Sequence, residues 1–164
     1  MSDLVPKNSS YAGDGLRVLI VASRFNDAWV SQLLEAVIQR LEERGVELED
    51  IKVVRVPGAL EVPQGISMVV DAEEDLPHVA IGLGVVIAGD TNHHEVIGNS
   101  TSLMLQTIAI DRSMPVINGI IVCNTEAQAD QRCGAPMNRG VSFAEAAIEM
   151  AGLGLDLFVG DEDE

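Results

Sequence analysis

The run Leu16-Arg17-Val18-Leu19-Ile20-Val21-Ala22 is almost continuously apolar and ends at a polar turn, Ser23-Arg24-Phe25-Asn26. A short apolar run bounded by turn residues predicts a buried strand. The period then changes. Trp29, Val30, Leu33, Leu34, Val37, Ile38 and Leu41 recur at three- and four-residue steps, which predicts a helix to about Arg44 with one apolar stripe. Asn26 or Asp27 is placed to cap it, and Gly45 to stop it. A second strand, Ile51 to Val56, is cut by Pro57-Gly58. A helix from about Glu61 to Ala72 follows, with Pro63 tolerated in its first turn. Val79 to Ile87 predicts a third strand, Glu95 to Arg112 a long helix closed by Pro115, and Val116 to Val122 a fourth strand. Thr125 can cap a short helix carrying Arg132, which Cys133-Gly134-Ala135-Pro136 breaks, and Gly140 to Met150 gives a last helix.

The order is β-α-β-α-β-α-β-α-α. Strands that are apolar throughout, rather than alternating, are covered on both faces, so the pattern predicts an α/β fold with a four-stranded parallel sheet core. No repeat, low-complexity block or linker interrupts it. We therefore expect a flexible N-terminal arm at 1–15, a single domain over 16–155 and an acidic tail at 156–164 that ends Asp161-Glu162-Asp163-Glu164.

Composition sharpens the picture. Hydrophobic residues make up 47% of the chain but aromatic residues only 3%, so the core is aliphatic and general disorder is excluded. The formal net charge of −16 excludes nucleic acid and an anionic membrane as natural partners. No apolar run approaches the ~18 residues of a membrane span, and Met1 to Asp14 lacks the apolar stretch of a signal peptide. Cys123 and Cys133 form no disulfide framework, zinc spacing or CxxC motif, which suits a cytoplasmic protein with free thiols. Charge also has a local consequence. No Lys or Arg lies between Arg55 and Arg112, so an anion bound in that span must use backbone N–H groups and an arginine from elsewhere or from another subunit.

Candidate chemistry gathers at the strand ends, which in a parallel sheet converge on one edge. Arg24, Phe25 and Asn26 follow the first strand, Pro57-Gly58-Ala59-Leu60-Glu61 the second, and Cys123-Asn124 the fourth. After the third comes Gly89-Asp90-Thr91-Asn92-His93-His94-Glu95, which holds two of the three histidines. Each piece also has a plain structural reading: Phe25 as cover for the sheet edge, Glu61 as a first-turn carboxylate favoured by the helix dipole, Arg132 as a surface cation. Three sequential residues, His93, His94 and Glu95, point in different directions on a helix, so no metal site is expected. There is no G-x-G-x-x-G, no Walker-type loop and no G-x-S-x-G elbow, which disfavours dinucleotide, nucleoside triphosphate and serine-hydrolase chemistry.

Taken together these stretches resemble lumazine synthase, the penultimate enzyme of riboflavin biosynthesis. Ala22-Ser23-Arg24-Phe25-Asn26 resembles that family's first-strand turn. Val56-Pro57-Gly58-Ala59-Leu60-Glu61-Val62-Pro63 resembles its V-P-G-[AS]-x-E-[IVL]-P motif, and Gly84 to Glu95 its G-x-x-I-x-G-x-T-x-H-x-[DE] stretch. Thr125 to Gly134, continued by Asn138-Arg139-Gly140, resembles its Glu-Gln-Ala…Arg-Ala-Gly…Asn-Lys-Gly segment. The likeness runs from about residue 16 to 152.

The resemblance implies a flavodoxin-like three-layer α/β/α sandwich. It also implies condensation of 5-amino-6-(D-ribitylamino)uracil with 3,4-dihydroxy-2-butanone 4-phosphate to 6,7-dimethyl-8-ribityllumazine, without metal or redox cofactor. Carried across by position, His93 transfers protons, with Glu95 a candidate for orienting it. Gly89, Asp90, Thr91 and Arg132 hold the phosphate. Phe25 stacks on the pyrimidine; Ala59, Leu60 and Glu61 hold the ribityl chain; Val85, Val86 and Ile87 run beside the ring. The family's site lies between subunits of a homopentamer, or a multiple of pentamers, with the Arg-bearing segment and the residue at Asn118 coming from a neighbour. The chain departs from the family pattern at Ala88, where relatives often carry Arg or Lys, and at Asn118 and His94, where they carry aromatics. The segment after Arg132 is one residue shorter, with Arg139 standing for one of two lysines. Two other readings fit the same residues: a shell-forming relative that binds riboflavin or lumazine with weak catalysis, and a flavodoxin-like flavin or regulatory domain.

Overall fold

A computed structural model describes residues 6–135 and 137–159. Four strands, β1 (Val18–Ser23), β2 (Ile51–Val56), β3 (Val79–Ile87) and β4 (Val116–Cys123), form one parallel sheet in the order β2-β1-β3-β4. The helices are α1 (Asp27–Glu43), α2 (Glu61–Ala72), α3 (His93–Arg112), α4 (Glu126–Cys133) and α5 (Arg139–Val159), with a single 3₁₀ turn at Leu48–Asp50 before β2. This is the expected three-layer α/β/α, flavodoxin-like architecture.

The period-2 geometry of the strands divides the core in two. Val18, Ile20 and Ala22 of β1 face α1 and α5, where they pack with Val30, Leu33, Val37 and Leu41 and with Phe143, Ala144, Ala147 and Ile148. Leu19 and Val21 face α2 and α3, where they meet Val62, Ile66, Val70, Leu105 and Ile108. The four fully buried residues of α1 are spaced three, four and four apart, so one stripe covers the sheet. Each such side chain contributes about 1.5–3 kcal/mol of transfer free energy. α5 can lie close over α1 because Gly140 has no side chain: a Cβ there would be 2.8 Å from the Leu33 carbonyl oxygen.

Several boundaries differ from expectation for identifiable reasons. α1 stops where expected, with Gly45 at φ 98°. Asn26 precedes α1 but does not cap it with its side chain; its amide is engaged elsewhere, as described below. Thr125 does cap α4, accepting from the Gln128 N–H at 3.2 Å. α3 begins at His93 rather than Glu95, so His93 is its first residue. α5 runs to Val159, nine positions past Met150. Its continuation has a partner that the local pattern does not reveal. Tyr11 lies against Gly152, where a Cβ would be 2.4 Å from the ring, and its hydroxyl donates to Asp156 at 2.7 Å. The Arg44 guanidinium donates to the Tyr11 carbonyl at 2.6 Å, and the Gly13 N–H donates to the Arg44 carbonyl at 2.8 Å, so the segment expected to be a free arm is fastened from Tyr11 onward. The expected acidic run Asp161–Glu164 lies outside the described residues. Among the described residues no helix is long and apolar enough to cross a membrane.

Candidate active site

The strand order reverses direction between β1 and β3: the chain moves outward from β1 to β2, then crosses back to β3 and β4. Loops leaving adjacent strands in opposite directions leave a crevice at their carboxyl ends, where open α/β sheets bind ligands. A cavity of 320 Å³ opens there, walled by Phe25 and Asn26 after β1, Gly58 to Glu61 after β2, Val85 to Ile87 of β3, and His93 and Ile97 of α3.

Backbone bonds set the shape of this cavity. The Arg24 N–H donates to the Val56 carbonyl at 2.8 Å, and the Phe25 N–H to the Pro57 carbonyl at 3.0 Å, which ties the first turn to the second. The Arg55 guanidinium, on β2, donates to the Ser23 carbonyl and to the Asp27 carboxylate and so brackets the turn that carries Phe25. That ion pair, assisted by the hydroxyl of Ser31, holds the Asp27 carboxyl below its ordinary pKa. Phe25 is 72% exposed and forms part of the cavity wall, so one face of its ring is free. Glu61 opens α2, and its carboxylate lies over Gly58.

The structure brings Phe25, Ala59, Leu60, Glu61, Val85, Val86, Ile87 and His93 together around one cavity. Gly89, Asp90 and Thr91 form the turn into α3 beside the cavity but are not in its wall. Arg132 and Asn118 are elsewhere in the subunit. Arg132 is on α4, which packs with α1 and α5, and its Nη1 lies 3.5 Å from the Gln128 carbonyl oxygen of its own helix. Asn118 pairs with Gly82, three rungs below Val85; its amide donates to the Ser102 hydroxyl at 2.9 Å and its oxygen accepts from the Ile120 N–H at 3.1 Å. Glu95, two residues from His93, projects from a different side of the helix and is absent from the cavity wall. His94 turns back to its own loop, with Nδ1 3.3 Å from the Thr91 carbonyl oxygen. Asn26, Gly58 and Ile97 also line the cavity. Of these, Ile97 was findable, because it stands four residues after His93 on the same helical face.

Positive charge is scarce around the cavity. Arg40 and Arg44 share Glu145, Arg112 is held by Asp71, Arg55 by Asp27 and Lys52 by Glu73. Among the described residues Lys7, Arg17, Arg24, Arg132 and Arg139 have no carboxylate partner. The thiols are not reactive groups. Cys123 and Cys133 are buried, and desolvation raises both pKa values, that of Cys133 to about 12.

The fold and this crevice define a parallel α/β protein with a cavity at the switch point between β1 and β3 that pairs an exposed aromatic ring with a carboxylate and an imidazole. Residues 15–154 match the sequence model of the family described as 6,7-dimethyl-8-ribityllumazine synthase. The protein of that name from Cupriavidus necator is 39% identical over 158 residues, covering 95% of this chain and 92% of its own. That from Laribacter hongkongensis is 37% identical over 151 residues, 92% of this chain and 94% of its own. That from Pyrococcus furiosus is 36% identical over 143 residues, 87% and 88% respectively. The chain belongs to the 6,7-dimethyl-8-ribityllumazine synthase family.

Proposed function

We propose that the protein condenses 5-amino-6-(D-ribitylamino)uracil with 3,4-dihydroxy-2-butanone 4-phosphate, releasing 6,7-dimethyl-8-ribityllumazine, inorganic phosphate and water. The observation that carries this reading is the convergence of Phe25, Glu61, the end of β3 and His93 on one cavity at the switch point, in a chain of this family. Phe25 offers its face to the pyrimidine. The Glu61 carboxylate accepts from ribityl hydroxyls. The reaction forms an imine between the 5-amino group and the ketone with loss of one water, eliminates phosphate, closes the second ring and loses a second water. Each step moves a proton, and an imidazole suits that near neutral pH. His93 fills this role at the mouth of the cavity.

Phosphate is the remaining requirement. The Gly89–Thr91 turn leads into the positive end of α3, but no cation of the same subunit lines the cavity. Arg132, without a carboxylate partner, supplies that charge from a neighbouring subunit. We therefore propose that the protein works in the cytoplasm as a homopentamer, or a multiple of pentamers, with shared sites and no cofactor.

The test is formation of the fluorescent lumazine from the two substrates, measured above the uncatalysed rate. Removal of a proton-transfer group typically costs about 100-fold or more, so His93→Ala is expected to lower kcat by that order. Arg132→Ala is expected chiefly to raise the KM for the butanone phosphate. Equal rates for wild type and His93→Ala would remove His93 from the mechanism.

A further inference from the structure

We infer that Asn26 is a positioning residue whose side chain fixes the free edge of β3 against which the heterocycle binds. The inference rests on the proposed reading of the site. It starts from a mismatch in strand length. β1 ends at Ser23, and its last rung with β3 is Ala22↔Leu83, whereas β3 continues to Ile87. Beyond Leu83, β3 is paired as a strand only with β4. Its β1 side opens onto the cavity.

Strand alternation decides which groups face that opening. The Ala88 N–H donates to the Cys123 carbonyl of β4 at 2.8 Å, so the even-numbered backbone groups point to β4. The odd-numbered ones point to the gap. There the Val85 carbonyl accepts from the Asn26 amide at 2.8 Å. Val85 is 2% exposed, so without Asn26 this carbonyl would be buried and short of a donor. Ile87 is next on the same side. Its N–H and C=O, a donor beside an acceptor, face the cavity, and they match the –CO–NH– edge of a pyrimidinedione.

Asn26 is built for this task. Its backbone is left-handed, φ 57° and ψ 43°, a conformation tolerated by Asn and Gly. Gly would satisfy the backbone alone; the carboxamide is what Asn adds. That carboxamide does not cap α1, although the residue stands at the cap position. It reaches β3 instead. The same residue therefore aims Phe25, its chain neighbour, and holds the strand edge opposite. Ring face and ring edge are set by one turn.

Two variants separate this role from a general structural one. Asn26→Gly keeps the left-handed backbone and deletes the amide. Asn26→Asp keeps the shape and turns an acceptor toward the Val85 carbonyl. The measurements are KM for each substrate, kcat, Tm, and binding of 6-ribitylaminouracil, which lacks the reacting 5-amino group and reports on the edge without turnover. Loss of one hydrogen bond's worth of alignment predicts about a tenfold rise in KM and Kd for the pyrimidine in Asn26→Gly. A larger rise is expected in Asn26→Asp, with the KM for the butanone phosphate unchanged in both. A rise in both KM values together with a fall in Tm, or no change in pyrimidine binding, overturns the inference. Turnover by wild type with no effect of Asn26→Gly sinks this inference and leaves the proposed reaction standing. Weakened binding in Asn26→Gly with no wild-type turnover does the reverse. A wild type that neither turns over nor binds the pyrimidine overturns both.

Discussion

At Gly58 the lack of a side chain shapes the site. A Cβ there would lie 2.9 Å from Glu61 Oε2 and 3.6 Å from Phe25 Cδ2. The nearer atom is the free end of a flexible side chain, so Gly58→Ala is expected to fold and to push the carboxylate aside. Misplacing one charged acceptor predicts about a tenfold rise in KM for the ribityl-bearing substrate, with little change in Tm. A normal KM with a fall of several degrees in Tm would make Gly58 a folding residue. Individual residues were legible in the sequence where their chemistry declared itself. Phe25, Glu61 and His93 stand at strand ends, where a parallel sheet collects them. Asn26 and Gly58 were legible as members of the same strand ends, but not what they do there, because that depends on how far β3 outruns β1 and on where the Glu61 side chain turns.

Elements were legible in kind and order, since the change of apolar period marks each one. Their ends were less so, because ends are decided by partners distant in sequence. α5 continues through Gly152 and Gly154, poor helix formers, and the reason is Tyr11 at the other end of the chain. A similar long-range tie joins the starts of two strands. His78, just before β3, accepts the Arg17 N–H on Nδ1 at 2.9 Å, while the Arg17 guanidinium donates to the Leu76 carbonyl at 2.8 Å. This bond needs a neutral imidazole. Burial, and then the nearby Arg17 charge, lower the His78 pKa. The unfolded chain takes up this proton near the ordinary value of about 6.5, while the folded chain resists until lower pH, so the unfolded state binds more protons in between. Stability from this contact is therefore complete above that value and is lost as pH falls through the lowered folded pKa. Urea midpoints are expected to fall from neutral pH into this window. The decline should be shallower in His78→Asn, whose oxygen can accept the same bond without titrating. An equal slope in both proteins would assign the acid sensitivity to other groups.

At the scale of the whole molecule the governing fact is charge. A chain of net charge −16 that handles a phosphate ester has to place a cation beside it, yet one subunit keeps His93 and Arg132 apart, one on the cavity wall and the other on α4. The sequence made this shortage visible, because no Lys or Arg lies between Arg55 and Arg112. It could not show that the subunit's own fold leaves the shortage in place, since that depends on which face of the sheet α4 packs against. If each site takes His93 from one subunit and Arg132 from the next around a ring, the two defects complement each other. His93→Ala and Arg132→Ala proteins, each impaired alone, are to be unfolded, mixed in equal amounts and reassembled, with each variant reassembled alone as the control. In a head-to-tail ring, a site is intact when an Arg132→Ala subunit supplies the histidine and a His93→Ala subunit supplies the arginine, which random mixing gives in about a quarter of sites. Activity in the mixture, assayed at limiting butanone phosphate, is expected to approach that fraction of wild type. If both residues acted within one subunit, no mixed site would be intact, and the mixture would show only the average of the two variants.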